Sequence, residues 1–172
     1  MPVNCESVAM RRKWRGWWSK LELFEHFTGP TLYFDLDTVV VGSLNKIAAH
    51  QHRFTAAHEY YRPSMLCSTA MAWCGDYSFI AAEYAKSPHG NALKYDKQIR
   101  PRIGDQAFIE DQLAARGIGF DTFRDLFGER SIASYKVHEC QRSPPADAAA
   151  VAFHGRPKPC DIKTGWVPKL WR

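Results

Sequence analysis

Residues 29–44 read "GPTLYFDLDTVVVGSL". The run 31–41 is rich in β-branched and aromatic residues, which predicts a buried strand. Asp35 and Asp37 interrupt it near its C-terminal half. Aspartate is a poor strand former, and two placed one apart point to the same side of an extended chain. A carboxylate pair at a strand end can act as nucleophile and acid, or hold a hard divalent cation. The stretch alone does not choose between them.

Upstream, "WWSKLELFEHF" (17–27) predicts a helix. Trp17, Leu21, Phe24 and Phe27 recur at three- and four-residue steps and form one apolar stripe, which Gly29-Pro30 ends. On that wheel Lys20 falls inside the apolar sector, where a lysine either snorkels or meets an anion. Downstream, residues 43–54 predict a short helix leading outward, 64–73 a strand and 76–86 a helix. The Pro/Gly-punctuated segment 87–103 predicts a loop. "DQAFIEDQLAARG" (105–117) predicts a helix with Asp105 as N-cap and Gly117 as C-cap. "SYKVHE" (134–139) and "AAVAFHG" (149–155) predict two further strands, and the last ten residues a loop. Helices alternating with strands make the fold class α/β.

The chain has 172 residues, 45% hydrophobic and 24% charged, enough for one domain with its own core over 1–172. It has no apolar run of about 18 residues to span a membrane and no signal-peptide core. Its five cysteines, Cys5, Cys67, Cys74, Cys140 and Cys160, lack CxxC spacing. That set predicts reduced thiols in a cytoplasmic protein and argues against zinc or a disulfide frame. A net charge of +5 suits an anionic ligand. The one basic cluster, "MRRKWR" (10–15), predicts a solvated loop, since no nucleic-acid module accompanies it.

Two enzyme classes compete for the carboxylates. Asp35-Leu36-Asp37-Thr38-Val39 fits the D-x-D-x-[T/V] motif of haloacid-dehalogenase-type phosphatases, with Asp35 as nucleophile and Asp37 as acid/base. The further lysine and acidic motif of that class are matched only loosely, by Lys94 or Lys97 and by "GDQAFIED". The rival is a GT-A-type glycosyltransferase, whose D-x-D binds the cation that neutralises a departing nucleotide diphosphate.

Three stretches favour the rival. The helix-then-strand entry with Lys20, the "GDQ" of Gly104-Asp105-Gln106, and "VAFHGRPKPCDI" (151–162) resemble, in order, glycosyltransferase family 8 and related phage and bacterial glycosyltransferase-like proteins. The chain departs from the closing H-x-x-G-x-x-K-P pattern: Gly155 directly follows His154, and Cys160 replaces a tryptophan. "CSTAMAW" (67–73) resembles the strand lining the donor sugar, with Cys67 in place of an asparagine and Ser68 or Thr69 as weak substitutes.

The resemblance implies that His154 joins Asp35 and Asp37 in holding manganese or magnesium. It implies that Lys20, Gly155 and Lys158 meet the diphosphate of a donor such as a UDP-sugar, and that Asp105 and Gln106 face the donor sugar. The implied enzyme is a hexosyltransferase-like, metal-dependent glycosyltransferase acting on a glycan, lipid or protein acceptor. The implied fold is a Rossmann-like mixed sheet flanked by helices and lacking the first βαβ unit, with "VNCESV" (3–8) as a remnant strand. A partner chain or a preceding segment would then complete the nucleotide pocket. An inactive, partner-dependent fragment and the phosphatase are the alternatives.

Overall fold

The computed structural model describes residues 6–96 and 103–171. Cys5, Lys97, the start of "VNCESV" and residues 97–102 of the expected loop lie outside the described residues. In chain order the elements are α1 (Leu23–His26), β1 (Thr31–Phe34), β2 (Thr38–Val40), α2 (Asn45–Ala48), β3 (Phe54–Glu59), β4 (Arg62–Trp73) and α3 (Ser78–Lys86). Then come α4 (Pro88–Asp96), α5 (Gly104–Ala114), β5 (Asp121–Thr122), α6 (Phe123–Phe127), β6 (Ile132–Ser134), β7 (Ala150–Ala152) and α7 (Val167–Leu170). The chain divides into two compact units, Met1–Thr28 with Asp76–Gln112 and Gly29–Gly75 with Leu113–Arg172.

The first unit is helical. Its entry is not the α-helix expected over 17–27: a 3-10 helix, Gly16–Glu22, runs into the single turn of α1. The tighter winding repeats every three residues, so Trp18, Leu21 and Phe24 are buried while Trp17 stays half exposed. Trp18 stacks on Tyr84 at 4.7 Å and meets the edges of Tyr95 and Phe108 at 6.4 and 6.1 Å. This aromatic packing draws in α4, which occupies most of the expected loop and buries Tyr95. Burial raises the Tyr84 hydroxyl to about 12. The basic cluster is tethered as well as solvated. The buried Glu22 carboxylate accepts the backbone N–H groups of Arg11 and Arg12, and Glu25 pairs with the Arg12 guanidinium at 2.7 Å.

The second unit holds both sheets. One has the order β1-β4-β3-β5 and the other β2-β7-β6. The pairs β3–β5 and β6–β7 are parallel and the rest antiparallel, so each sheet is mixed. The single strand expected over 31–41 is therefore two strands in two sheets. Between them the chain turns instead of extending, with Thr38 N–H donating to Asp35 C=O at 3.0 Å. Leu36 at the turn is almost fully exposed.

Other boundaries moved for identifiable reasons. Only Asn45–Ala48 of the helix expected over 43–54 is helical, and β3 begins at Phe54. The strand expected over 64–73 starts at Arg62, and Tyr60-Tyr61 joins it to β3 as a two-residue turn lacking the Gly, Asn or Asp that announces a hairpin. The strand expected over 134–139 ends at Ser134. There Ser134 N–H donates to His138 Nδ1 and Ser134 Oγ accepts from Val137 N–H, a side-chain-built turn that stops the ladder. The expected C-terminal loop contains α7. Among the described residues of the unit, one apolar cluster gathers around Ile47, Phe123 and Ile132 and another around Val39, Val151 and Phe153. No helix among the described residues is long and apolar enough to cross a membrane. Among the described residues Cys74, Cys140 and Cys160 are free thiols.

Candidate active site at the strand ends of the second unit

The register of the smaller sheet assembles the cluster. Thr38 stands opposite Ala152 in the antiparallel β2–β7 pair, and Ser134 stands beside Ala152 in the parallel β6–β7 pair. The chain entering β2 and the chains leaving β6 and β7 therefore meet at one end of the sheet. Asp37 arrives from the first, Lys136 from the second, and His154, Gly155 and Lys158 from the third. Phe153 N–H donates to Asp37 C=O at 3.1 Å, which fixes the start of the His154 segment against the carboxylate turn.

At this end Lys158 Nζ binds the Asp37 carboxylate and donates to Phe153 C=O at 3.2 Å. The His154 ring is held on three sides. Nε2 lies 2.7 Å from Ser134 Oγ, Tyr60 stacks on the ring at 5.1 Å, and Tyr61 meets it edge-on at 6.0 Å. Burial, helped by the charges of Lys136 and Lys158, holds the imidazole below its ordinary pKa, while Asp37 pulls the other way. The ring is thus uncharged at neutral pH. Burial also pushes the Tyr60 hydroxyl well above its usual value, so it remains a neutral phenol. Gly155 has φ +69°, a left-handed conformation that glycine tolerates best, and a Cβ there would lie 3.2 Å from Lys136 Nζ.

Asp35 sits where β1 ends, its N–H donating to Thr69 C=O and its carboxylate accepting from Tyr33 O–H at 2.6 Å. Ser68 and Thr69 are buried opposite that end of β1, in β4, where the register against β3 skips. The residue types suit a hard divalent cation: two carboxylates and a neutral imidazole. Their side chains are not gathered round one point, however. No three His, Cys, Asp or Glu side chains among the described residues form a metal cluster. Asp37 is engaged by Lys158, Asp35 by Tyr33 and His154 by Ser134, so an ion would have to exchange with these partners. A separate cavity of about 660 Å³, lined by Thr31, His50, Arg53 and Trp73 among others, lies at the opposite end of β1 and contains none of these residues.

The remaining expected site residues belong to the first unit. Asp105 is not an N-cap: α5 begins one residue earlier, at Gly104. Its buried carboxylate instead pairs with buried Lys20, Nζ to Oδ2 at 3.3 Å. The anion that justifies a lysine in the apolar sector is thus Asp105. Gly104, with φ +68°, packs against the indole of Trp17, where a Cβ would come within 3.2 Å. Trp17, Ile103, Gly104, Asp105 and Gln106 line a cavity of about 210 Å³.

Sequence reasoning missed Lys136, Ser134, Tyr60 and Trp17 as site neighbours. The first three carry no motif: Lys136 and Ser134 come to His154 through the β6–β7 pairing, and Tyr60 comes from the β3–β4 turn of the other sheet. Trp17 was assigned to the core by the α-helical period.

No protein-family model matches the chain, and no curated protein matches it. Solved structures do. The glycosyltransferase GlyE of Streptococcus pneumoniae TIGR4 is similar with a TM-score of 0.61 and 12% identity, over 94% of this chain and 43% of that one. Its apo form is similar with a TM-score of 0.53 and 11% identity, over 89% and 41%. The chain thus spans about two fifths of the length of these solved chains. At this identity the likeness concerns the fold: an α/β glycosyltransferase fold of the GT-A kind, with mixed sheets flanked by helices.

Proposed function

We propose that the chain is the donor-binding part of a glycosyltransferase that uses a nucleotide-diphospho-sugar, with UDP as the carrier. One observation carries this reading: the β2–β7 register sets the Asp37 carboxylate against the segment Phe153–Lys158, and Lys158 binds it. Motifs more than a hundred residues apart thereby share one strand end, the place where open sheets bind ligands.

In this reading Asp35, Asp37 and His154 hold manganese or magnesium after exchanging their present partners. A divalent cation so held would neutralise the diphosphate as the sugar leaves. Lys158, freed from Asp37, donates to the diphosphate oxygens, and Gly155 lets the backbone come close to them. Tyr60 and Ser134 keep the His154 ring oriented. In the first unit, Asp105 and Gln106 are assigned to the donor sugar. Lys20, expected on the diphosphate, is assigned to pairing with the Asp105 carboxylate.

Calorimetric titration of UDP with and without Mn²⁺, on wild type and Asp37→Ala, tests the reading. The expected result is Mn²⁺-dependent binding that weakens at least about tenfold in the variant, the loss of one charged ligand contact. Equal binding in both proteins, or none in either, overturns it. Phosphate-ester hydrolysis abolished by Asp35→Asn would favour the phosphatase instead. Binding without transfer to any acceptor would favour the partner-dependent fragment.

A further inference from the structure

The end of the smaller sheet carries one more charge than the motifs supply. Lys158 is paired with Asp37, and Arg156 with Asp161 at 2.7 Å. Among the described residues the Lys136 side chain has no hydrogen bond or ion pair, yet the residue is only partly exposed. Its Nζ lies 3.2 Å from the place a Cβ on Gly155 would occupy. It is also near enough to His154 to act on that ring electrostatically.

Topology explains why it points there. Because β6 and β7 are parallel neighbours, the residues just beyond Ser134 and just beyond Ala152 leave the sheet side by side. Tyr135 N–H donates to Ala152 C=O at 3.0 Å, which extends the pairing by one residue, and Lys136 follows. The side-chain-built turn at Ser134 and His138 then carries the chain away, so Lys136 sits at the crest of that turn. A partly exposed ammonium next to the open side of Gly155, acting together with Lys158 on the same imidazole, is suited to an anion with two charged centres.

We propose that Lys136 is a second ammonium ligand for the diphosphate of the nucleotide donor, acting alongside Lys158. The inference rests on the donor-binding reading above and adds a residue to it. The shared chemistry is a pyrophosphate group, so the test compares UDP, inorganic pyrophosphate and uridine in the presence of Mn²⁺. Lys136→Met lowers affinity for UDP and for pyrophosphate about tenfold, as expected for one charge-assisted hydrogen bond. It leaves any binding of uridine unchanged. Lys136→Arg retains most of the affinity for both phosphate ligands, which separates loss of charge from loss of fold.

Wild-type binding of UDP with unchanged affinity in Lys136→Met overturns this inference and leaves the donor-binding reading intact. Equal weakening of uridine and UDP overturns it as well, since a damaged fold and not a lost phosphate contact would then be responsible. Absence of UDP binding by the wild type overturns both.

Discussion

The Lys158 ammonium and the Asp37 carboxylate, 121 residues apart in the chain, form an ion pair at the end of the smaller sheet. The pair places a positive charge where the sequence led us to expect a metal ion. Lysine and cation therefore compete for one carboxylate. Without nucleotide, Lys158→Met should bind Mn²⁺ more tightly than wild type by about fivefold, the upper range for a partly exposed pair. In the presence of UDP the same variant should lose affinity. Titrations with Mn²⁺ alone and with Mn²⁺ plus UDP measure both signs.

Lys20 and Asp105 form the second pair of interest, and both are buried. Removing one member takes the opposite charge away from a buried group. Lys20→Met should destabilise the protein by about 3 kcal/mol, whereas Lys20→Met combined with Asp105→Leu should recover most of the loss. A double-mutant cycle in urea measures the coupling. Additive losses would contradict the pairing.

The two neighbouring tryptophans should behave oppositely. Trp18 is buried in the aromatic cluster with Tyr84, Tyr95 and Phe108, so Trp18→Ala should cost about 3–5 kcal/mol. Trp17 is half exposed, and Trp17→Ala should change stability by less than about 1 kcal/mol. Denaturant midpoints of the two variants compare them directly. The reverse order would restore the α-helical stripe.

Acid should weaken the fold before the carboxylates titrate. His52, His58, His138 and His154 all have their pKa lowered from 6.5, chiefly by burial. His52 uses both ring nitrogens, bonded to Thr55 Oγ1 and Ile47 C=O at 2.8 Å each. Below the ordinary value the unfolded chain binds more protons than the folded one, so stability rises with pH in that window. Melting temperatures should fall as pH drops from about 6.5 toward 5 and level off above about 7. The phenylalanine or glutamine variant of His52 should flatten part of that slope.

The elements most legible in the sequence are those whose signals are local. The helix at Ser78–Lys86, the strand core around Met71 and Trp73, the glycine that ends the segment after α5 at φ +65°, and the strand before His154 all lie where expected. The misreadings share one cause, which is that tertiary packing overrode local preference. The 3-10 winding at Gly16–Glu22 follows from burying Trp18 among aromatic rings that arrive from α3, α4 and α5. The helix Pro88–Asp96 has a Pro/Gly-rich sequence that reads as a loop, yet Tyr95 docks on Phe108 at 5.3 Å.

By itself the sequence determined the α/β class, the apolar strands, and the order of the motifs around Asp35, Asp105 and His154. These depend on residue type and spacing, which a chain carries with it. Tertiary structure alone decided that the carboxylate stretch breaks into two strands of different sheets. It also decided that Asp37 meets Lys158, that Asp105 meets Lys20, and that the Lys136 ammonium comes near Gly155. Each of these depends on strand register or on burial of a charge. A one-residue shift in register would turn every side chain of the strand to the other face. No local pattern of residues encodes which partner lies across the sheet.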